Sequence, residues 1–418
     1  MDITVIFLLC FEALFGLWLL YHADVLNNTA QFVVSLLLIA AAFVLRGMCF
    51  SYETLDYQNF LTKWVEFYRD NGGFKALWYP LGNYNIPYLY FLCFFSYLDI
   101  KDLYLIKLLS CFFDLLLAFG AMQLLAHFNK NIWVRIVCFF TVLFLPTVVL
   151  NGALWGQCDS IYIALALLGL WLAFDDRPIA SMVCFALSFG FKLQAVFILP
   201  IIAVLWFRGK YKLWHFAIFP LSYVVLVLPA VLLGKPFMDT ILLYTSQTGS
   251  IGDGLNYNSP SVFAIRAFYS VSDKSLAAKV GIIAAFVFTL GLLALSFFKR
   301  KDLSDLHILI IAVLFAVGIP FLLPHMHDRY FFGADILSLV LLFVCPMLSF
   351  TAPLVQFASL LGYHAYLKMR YLLLMDHGAR ALIAVIFILL WFLIYTLFIE
   401  KPKIKKISKK QKKRKKTA

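Results

Sequence analysis

Long apolar runs alternate with short polar interruptions along most of the chain. The runs cover about 5–22, 30–46, 103–126, 132–150, 158–174, 213–233, 277–298, 305–323, 330–349 and 380–399. As α-helices rising 1.5 Å per residue, such runs match the roughly 30 Å of a bilayer core. A weaker run covers 351–365. The stretch 179–207 is too long for one crossing and short for two, and Gly190, Lys192 and Gln194 interrupt it. It reads as a broken helix or a partial hairpin with both ends on one side. The pattern therefore predicts an all-α, polytopic transmembrane helix bundle of about 11–13 spans.

Composition sharpens that picture. The chain is 63% hydrophobic and 14% charged, with a mean hydropathy of +0.90. Soluble domains are roughly half apolar and a quarter charged, so much of this surface must face lipid. No Pro/Gly/Ser-rich linker and no repeat divides residues 1–400, which read as a single integral membrane domain. The first run lacks a basic leader and a small-residue cleavage site, and reads as a retained helix. Eight cysteines include no CxxC pair, which argues against a zinc or disulfide framework.

The net charge of +13 suggests nucleic acid until it is located. Residues 401–418 hold eleven Lys/Arg and no acid, and without them the chain carries +2. This tail reads as a disordered polybasic segment lying on anionic headgroups, with no nucleic-acid partner. Basic clusters at 299–301 and 208–212, with Lys130 and Arg135, join the tail on the cytoplasmic side under the positive-inside rule. Four segments then lie outside: 47–86, 151–159, 234–276 and 324–329. Arg46, Lys368 and Arg370 fit this scheme poorly.

Those outer segments hold the candidate chemistry. In 47–86, Asp56 follows the second span beside Tyr57, and Trp64, Val65 and Phe67 alternate with Lys63, Glu66 and Arg69. The alternation predicts an amphipathic interfacial helix in the first large external loop. The short run 87–98 also reads as interfacial. The hairpin NGALWGQCD supplies Asn151, Gln157 and Asp159, and its Trp155 could stack on a sugar ring. Lys192 in an apolar run costs roughly 2.5–3.5 kcal/mol on insertion scales, which suits a cation facing a cavity near Gln194. The stretch PHMHDRY groups His325, His327, Asp328 and Arg329. Two histidines two apart on a helix face different ways, so a metal site is not expected. Arg329 offers the planar fork that suits phosphate. The loop 234–276, with Asp253, Asn256 and Asn258, is long enough to close over a substrate.

Together these groups ask for one reaction class. A lipid-linked phosphosugar would give its phosphate to the cations and its sugar to the aromatics. Asp56 would deprotonate an acceptor hydroxyl attacking the anomeric carbon, with the cations stabilising the leaving phosphate.

The pair Asp56-Tyr57 with Trp64 and Gly72-Gly73, then GNYNIPYLY, NGALWGQCDSIY, FKLQAVFILP and PHMHDRYFF, resemble a known group. They are similar to the bacterial relatives of GPI-anchor mannosyltransferases, in the C-type integral membrane glycosyltransferase superfamily, over most of residues 47–335. The resemblance implies inverting transfer of one hexose, mannose or glucose-like, from a polyprenyl-phosphate donor to a glycan or lipid-linked acceptor on the extracytoplasmic face. It implies Asp56 as base and matches Trp155, Gly156, Gln157 and Asp159, then Phe191, Lys192 and Gln194, then His327, Asp328, Arg329 and Tyr330. It implies no cofactor and no required metal. A polysaccharide ligase or polymerase, and a lipid or solute transporter, are the alternatives.

Overall fold

The structure, a computed structural model, describes residues 3–82, 84–245, 255–268 and 271–399. Among the described residues it is a bundle of helices without strands. The polybasic tail 401–418 and Asp253 lie outside the described residues.

Seven helices are long and apolar enough to cross a membrane: Ile3–His22 (α1), Thr29–Cys49 (α2), Asp102–Phe128 (α5), Leu213–Leu232, Lys274–Phe298, Asp305–Leu322 and Met375–Phe398. Between α2 and α5 lie the short helices Thr62–Asp70 (α3) and Ile86–Phe95 (α4). After α5, Ile132–Phe144 (α6) and Pro146–Trp155 (α7) make one run bent by 47°. Leu145, the residue before the proline, is extended at φ −60° and ψ 126°, as the ring of a following proline demands. Asp159–Phe174 (α8), Pro178–Phe191 (α9) and Phe332–Val344 are apolar but shorter than a full crossing. Asp159–Phe174 and Phe332–Val344 fill runs that hydropathy alone reads as spans, and most of their residues are buried.

The core runs from α5 and α8 through Phe332–Val344, which packs on both, to the helix Asp305–Leu322. Asp305–Leu322 is apolar on every side, and Ile308 to Phe321 are all buried, which marks a helix surrounded by protein. By contrast, α1 and Lys274–Phe298 expose Phe7, Phe11, Trp18, Phe286 and Val287, as faces that meet lipid do.

The stretch 179–207 turns back on itself. Helix α9 ends at Phe191, Lys192 is extended at φ −152° and ψ 133°, and the chain continues through Leu193–Phe197 into Ile201–Phe207 (α10). Lys210 Nζ donates to Asp176 Oδ1 at 2.8 Å, and the Ser181 and Tyr211 hydroxyls stand 2.6 Å apart. Both ends of this wedge therefore lie at one end of the bundle, and Lys192 lies at its apex. The break falls at Lys192 rather than Gly190, whose carbonyl accepts from Asn85 Nδ2 at 2.7 Å.

Helix α3 is amphipathic as its pattern predicts. It buries Trp64, Val65 and Tyr68 against the protein and exposes Lys63, Glu66, Arg69 and Asp70. Arg46, which fits the charge-based orientation poorly, is fully buried near the end of α2, paired with Asp114 at 2.9 Å.

Candidate active site

One end of the bundle opens into a cavity of about 550 Å³, lined among others by Asp56, Trp64, Tyr84, Gln157, Lys192 and Arg329. Helix ends, rather than long loops, deliver most of the wall. Two π-helical turns contribute, Tyr57–Leu61 directly after Asp56 and Leu150–Trp155 before Gly156. Turns of this kind widen the helix by one residue and recur at functional sites. Gly156 follows at φ +78°, a left-handed conformation that glycine adopts without steric cost. The chain thereby turns sharply and presents Gln157 and Asp159 inward.

Asp56 is fixed from one side. Its Oδ2 accepts from Trp155 Nε1 at 2.9 Å and from Gln157 Nε2 at 2.8 Å. The Gln157 amide is oriented in turn by the Tyr84 hydroxyl, which donates to its Oε1 at 3.1 Å. The backbone N–H of Asp56 donates to the Tyr366 hydroxyl at 3.2 Å. About a quarter of the Asp56 side chain stays open to the cavity.

A second carboxylate organises the cations. Asp159 is 1% exposed. Its Oδ1 accepts from Lys192 Nζ at 2.5 Å, and its Oδ2 accepts from Asn151 Nδ2 at 2.8 Å. Arg329 Nε stands 3.4 Å from the same Oδ2, and the guanidinium lies 5.0 Å over the Trp155 ring. Arg329 NH1 is 3.9 Å from Asp56 Oδ2. Burial alone would weaken the Arg329 charge, yet Asp159 and its other neighbours hold its pKa above the ordinary value. Its buried Nε has no hydrogen-bond partner among the described residues. The guanidinium is thus held by charge and stacking, and it lines the cavity.

Residues expected at the site divide into two groups. Asp56, Gln157, Lys192, Gln194, His327, Asp328 and Arg329 line the cavity, as do Asn256 and Asn258 of the long loop. Tyr57, Trp155, Asp159 and His325 are not part of that wall. Tyr57 turns away and donates to Asp102 Oδ1 at 3.1 Å. His325 adopts φ +60°, a left-handed turn of the chain before His327. Trp155 corrects the expectation of sugar stacking: it has no exposed surface, and the Tyr366 ring covers it at 4.0 Å and 11°. Its role is to hold Asp56 and support Arg329. Aromatic side chains that do line the cavity include Trp64, Tyr84, Tyr244 and Tyr366.

Two histidine-segment groups are tuned by their surroundings. His327 is pushed down to about 4, first by loss of hydration and then by the charges of Arg329 and Lys192. Burial raises the Asp328 carboxyl above its ordinary value. Among the described residues no three His, Cys, Asp or Glu side chains come together to hold a metal ion.

A helical membrane bundle with an acid, an amide, an ammonium and a guanidinium converging on one end cavity is built as a multi-pass membrane enzyme. The family model of glycosyltransferase family 87 matches residues 83–324, and the chain belongs to that family. The match takes in Trp155, Gln157, Asp159 and Lys192, and the cavity adds Asp56 and Arg329 from either side of it. No curated protein matches the chain.

Proposed function

We propose that this membrane glycosyltransferase moves a single hexose from a polyprenyl-phosphate donor to a glycan or lipid-linked acceptor, with inversion at the anomeric carbon. The observation that carries the reading is that a cavity-facing carboxylate, Asp56, shares one cavity with the Lys192 ammonium and the Arg329 guanidinium. The acceptor O–H gives its proton to Asp56 as its oxygen bonds to the anomeric carbon. The bond from that carbon to the phosphate oxygen breaks, and the electron pair leaves with the phosphate toward Arg329 and Lys192. General base help contributes roughly 10²–10⁴-fold, and preorganised cations favour the charge that develops on the leaving group.

The second carboxylate supports inversion. A retaining route needs a nucleophile that can reach the sugar. Asp159 is buried and already engaged by Lys192, Asn151 and Arg329, which disfavours a double displacement through it. The lipid monophosphate, rather than a nucleotide, suits a cavity opening at the end of a membrane bundle. The basic positions Arg208, Lys210, Lys212, Lys299, Arg300 and Lys301 gather at the opposite end, which supports an extracytoplasmic site and a cytoplasmic tail on anionic lipid.

Asp56→Asn tests the assignment. In membranes with unchanged expression, hexose transfer from a labelled polyprenyl-phosphate donor falls by roughly 10²-fold or more. Full activity in that variant removes Asp56 from the chemistry, and transfer from a nucleotide sugar alone overturns the donor class.

A further inference from the structure

One face of α5 carries three polar side chains that the chemistry above leaves unused. Lys107, Ser110 and Asp114 are spaced by three and four residues, which puts them on one side of the helix over about 10 Å. Their exposures are 0%, 1% and 0%, and none lines the cavity. Charges inside a span are costly and demand partners, and the partners of these three are specific.

Lys107 Nζ donates to the carbonyls of Cys49, Phe50 and Tyr52 at 2.8, 3.1 and 2.6 Å, which uses all three ammonium donors. Those carbonyls close α2 and start the segment that carries Asp56. Ser110 Oγ donates to the Gln157 carbonyl at 2.8 Å. Asp114 Oδ1 accepts from Ser160 Oγ at 2.5 Å, and its Oδ2 accepts from Arg46 Nε and NH2 at 3.2 and 2.9 Å. Gly152 packs directly on this carboxylate, since a Cβ there would stand 3.1 Å from Asp114 Oδ2. A Cβ on Gly156 would likewise meet the Lys107 stem at 3.7 Å. The two segments also touch each other, because Thr54 Oγ1 donates to the Trp155 carbonyl at 3.4 Å.

We infer that this stripe positions the active site. Lys107, Ser110 and Asp114 set the register between residues 49–56, which carry the base, and residues 151–160, which carry its hydrogen-bond donors Trp155 and Gln157. The inference rests on Asp56 being the base. A merely structural stripe would support the whole bundle evenly. A positioning stripe acts on kcat, because a displacement near 1 Å at reacting groups costs about 10²-fold.

The test uses full-length protein in lipid nanodiscs. Steady-state kinetics with a polyprenyl-phosphate hexose donor is combined with backbone hydrogen exchange. Lys107→Met is expected to lower kcat by about 10²-fold with little change in KM, and Lys107→Arg to recover part of the loss. Exchange should speed up in 50–58 and 151–158 and stay unchanged in 305–322. An unchanged kcat, or faster exchange throughout the bundle, overturns the inference. If Lys107→Met does not fold, Ser110→Ala removes one hydrogen bond and should lower kcat by about 2- to 10-fold with the same local exchange pattern. If the wild type transfers no hexose, the activity reading fails, and the exchange pattern alone decides whether the stripe sets the register.

Discussion

Trp155, a residue with no exposed surface, donates its indole N–H to Oδ2 of Asp56 over 2.9 Å. The indole therefore acts on the carboxylate without meeting the substrate. Trp155→Phe keeps a ring against Tyr366 and removes the donor. A hydrogen bond to a charged group contributes about 1.5–3 kcal/mol, so kcat is expected to fall by about 10- to 100-fold with a small change in KM. Kinetics with a labelled lipid-phosphate donor checks this, and a purely raised KM would return Trp155 to substrate binding.

Asp159→Asn leaves Lys192 and Arg329 buried with one fewer counter-charge. Removing one partner of a buried ion pair costs about 3–5 kcal/mol. The expected outcome is a lowered Tm in detergent, together with loss of transfer. Addition of inorganic pyrophosphate or another anion should restore part of the Tm, because an anion can take the vacated role between the two cations.

The imidazole of His327, depressed to about 4 by loss of hydration and then by its cationic neighbours, is neutral at pH 7. A histidine whose folded pKa lies below its unfolded value supplies stability above the unfolded pKa and loses it as pH falls toward the folded one. The stability contribution should therefore decline between about pH 6.5 and 4. Across about pH 5.5 to 8 the rate profiles of wild type and His327→Gln should have the same shape, since no imidazolium forms there. A limb near pH 6.5 that disappears in the variant would mean that His327 titrates during turnover.

Gly362 lies on Thr351–Leu367 behind the segment bearing Arg329. A Cβ there would stand 2.5 Å from the Asp328 backbone oxygen, which no flexible side chain can relieve. Gly362→Ala is expected to cost about 1–3 kcal/mol in unfolding measurements. It should also weaken donor binding, because the displaced backbone carries Arg329.

The apolar periodicity and the outer polar segments made the bundle and most of the cavity wall legible before any coordinates. Asp56, Gln157 and Arg329 could be named because each is a polar group at the edge of an apolar run, and Lys192 because it interrupts one. The Arg46–Asp114 pair was not legible. Its partners lie 68 residues apart, and helical periodicity carries no information about which buried charge meets which. Asp114 did leave a signal, an acid in the middle of a long apolar run, and such an acid calls for a partner. Trp155 misled for a related reason. Sequence marks an aromatic residue near polar groups, but the side that faces the cavity is decided by Tyr366, more than 200 positions away in the chain.

The wedge from α9 to α10 has a consequence for topology mapping. Reporters fused after Arg177 and after Gly209 should register on the same side of the membrane, since Asp176 and Lys210 meet. The wedge adds no net crossing, and every later helix keeps the orientation it would have if 178–207 were deleted. A hydropathy count that scores this stretch as one span inverts all that follows, and would separate Arg329 from Asp56 by the thickness of the bilayer.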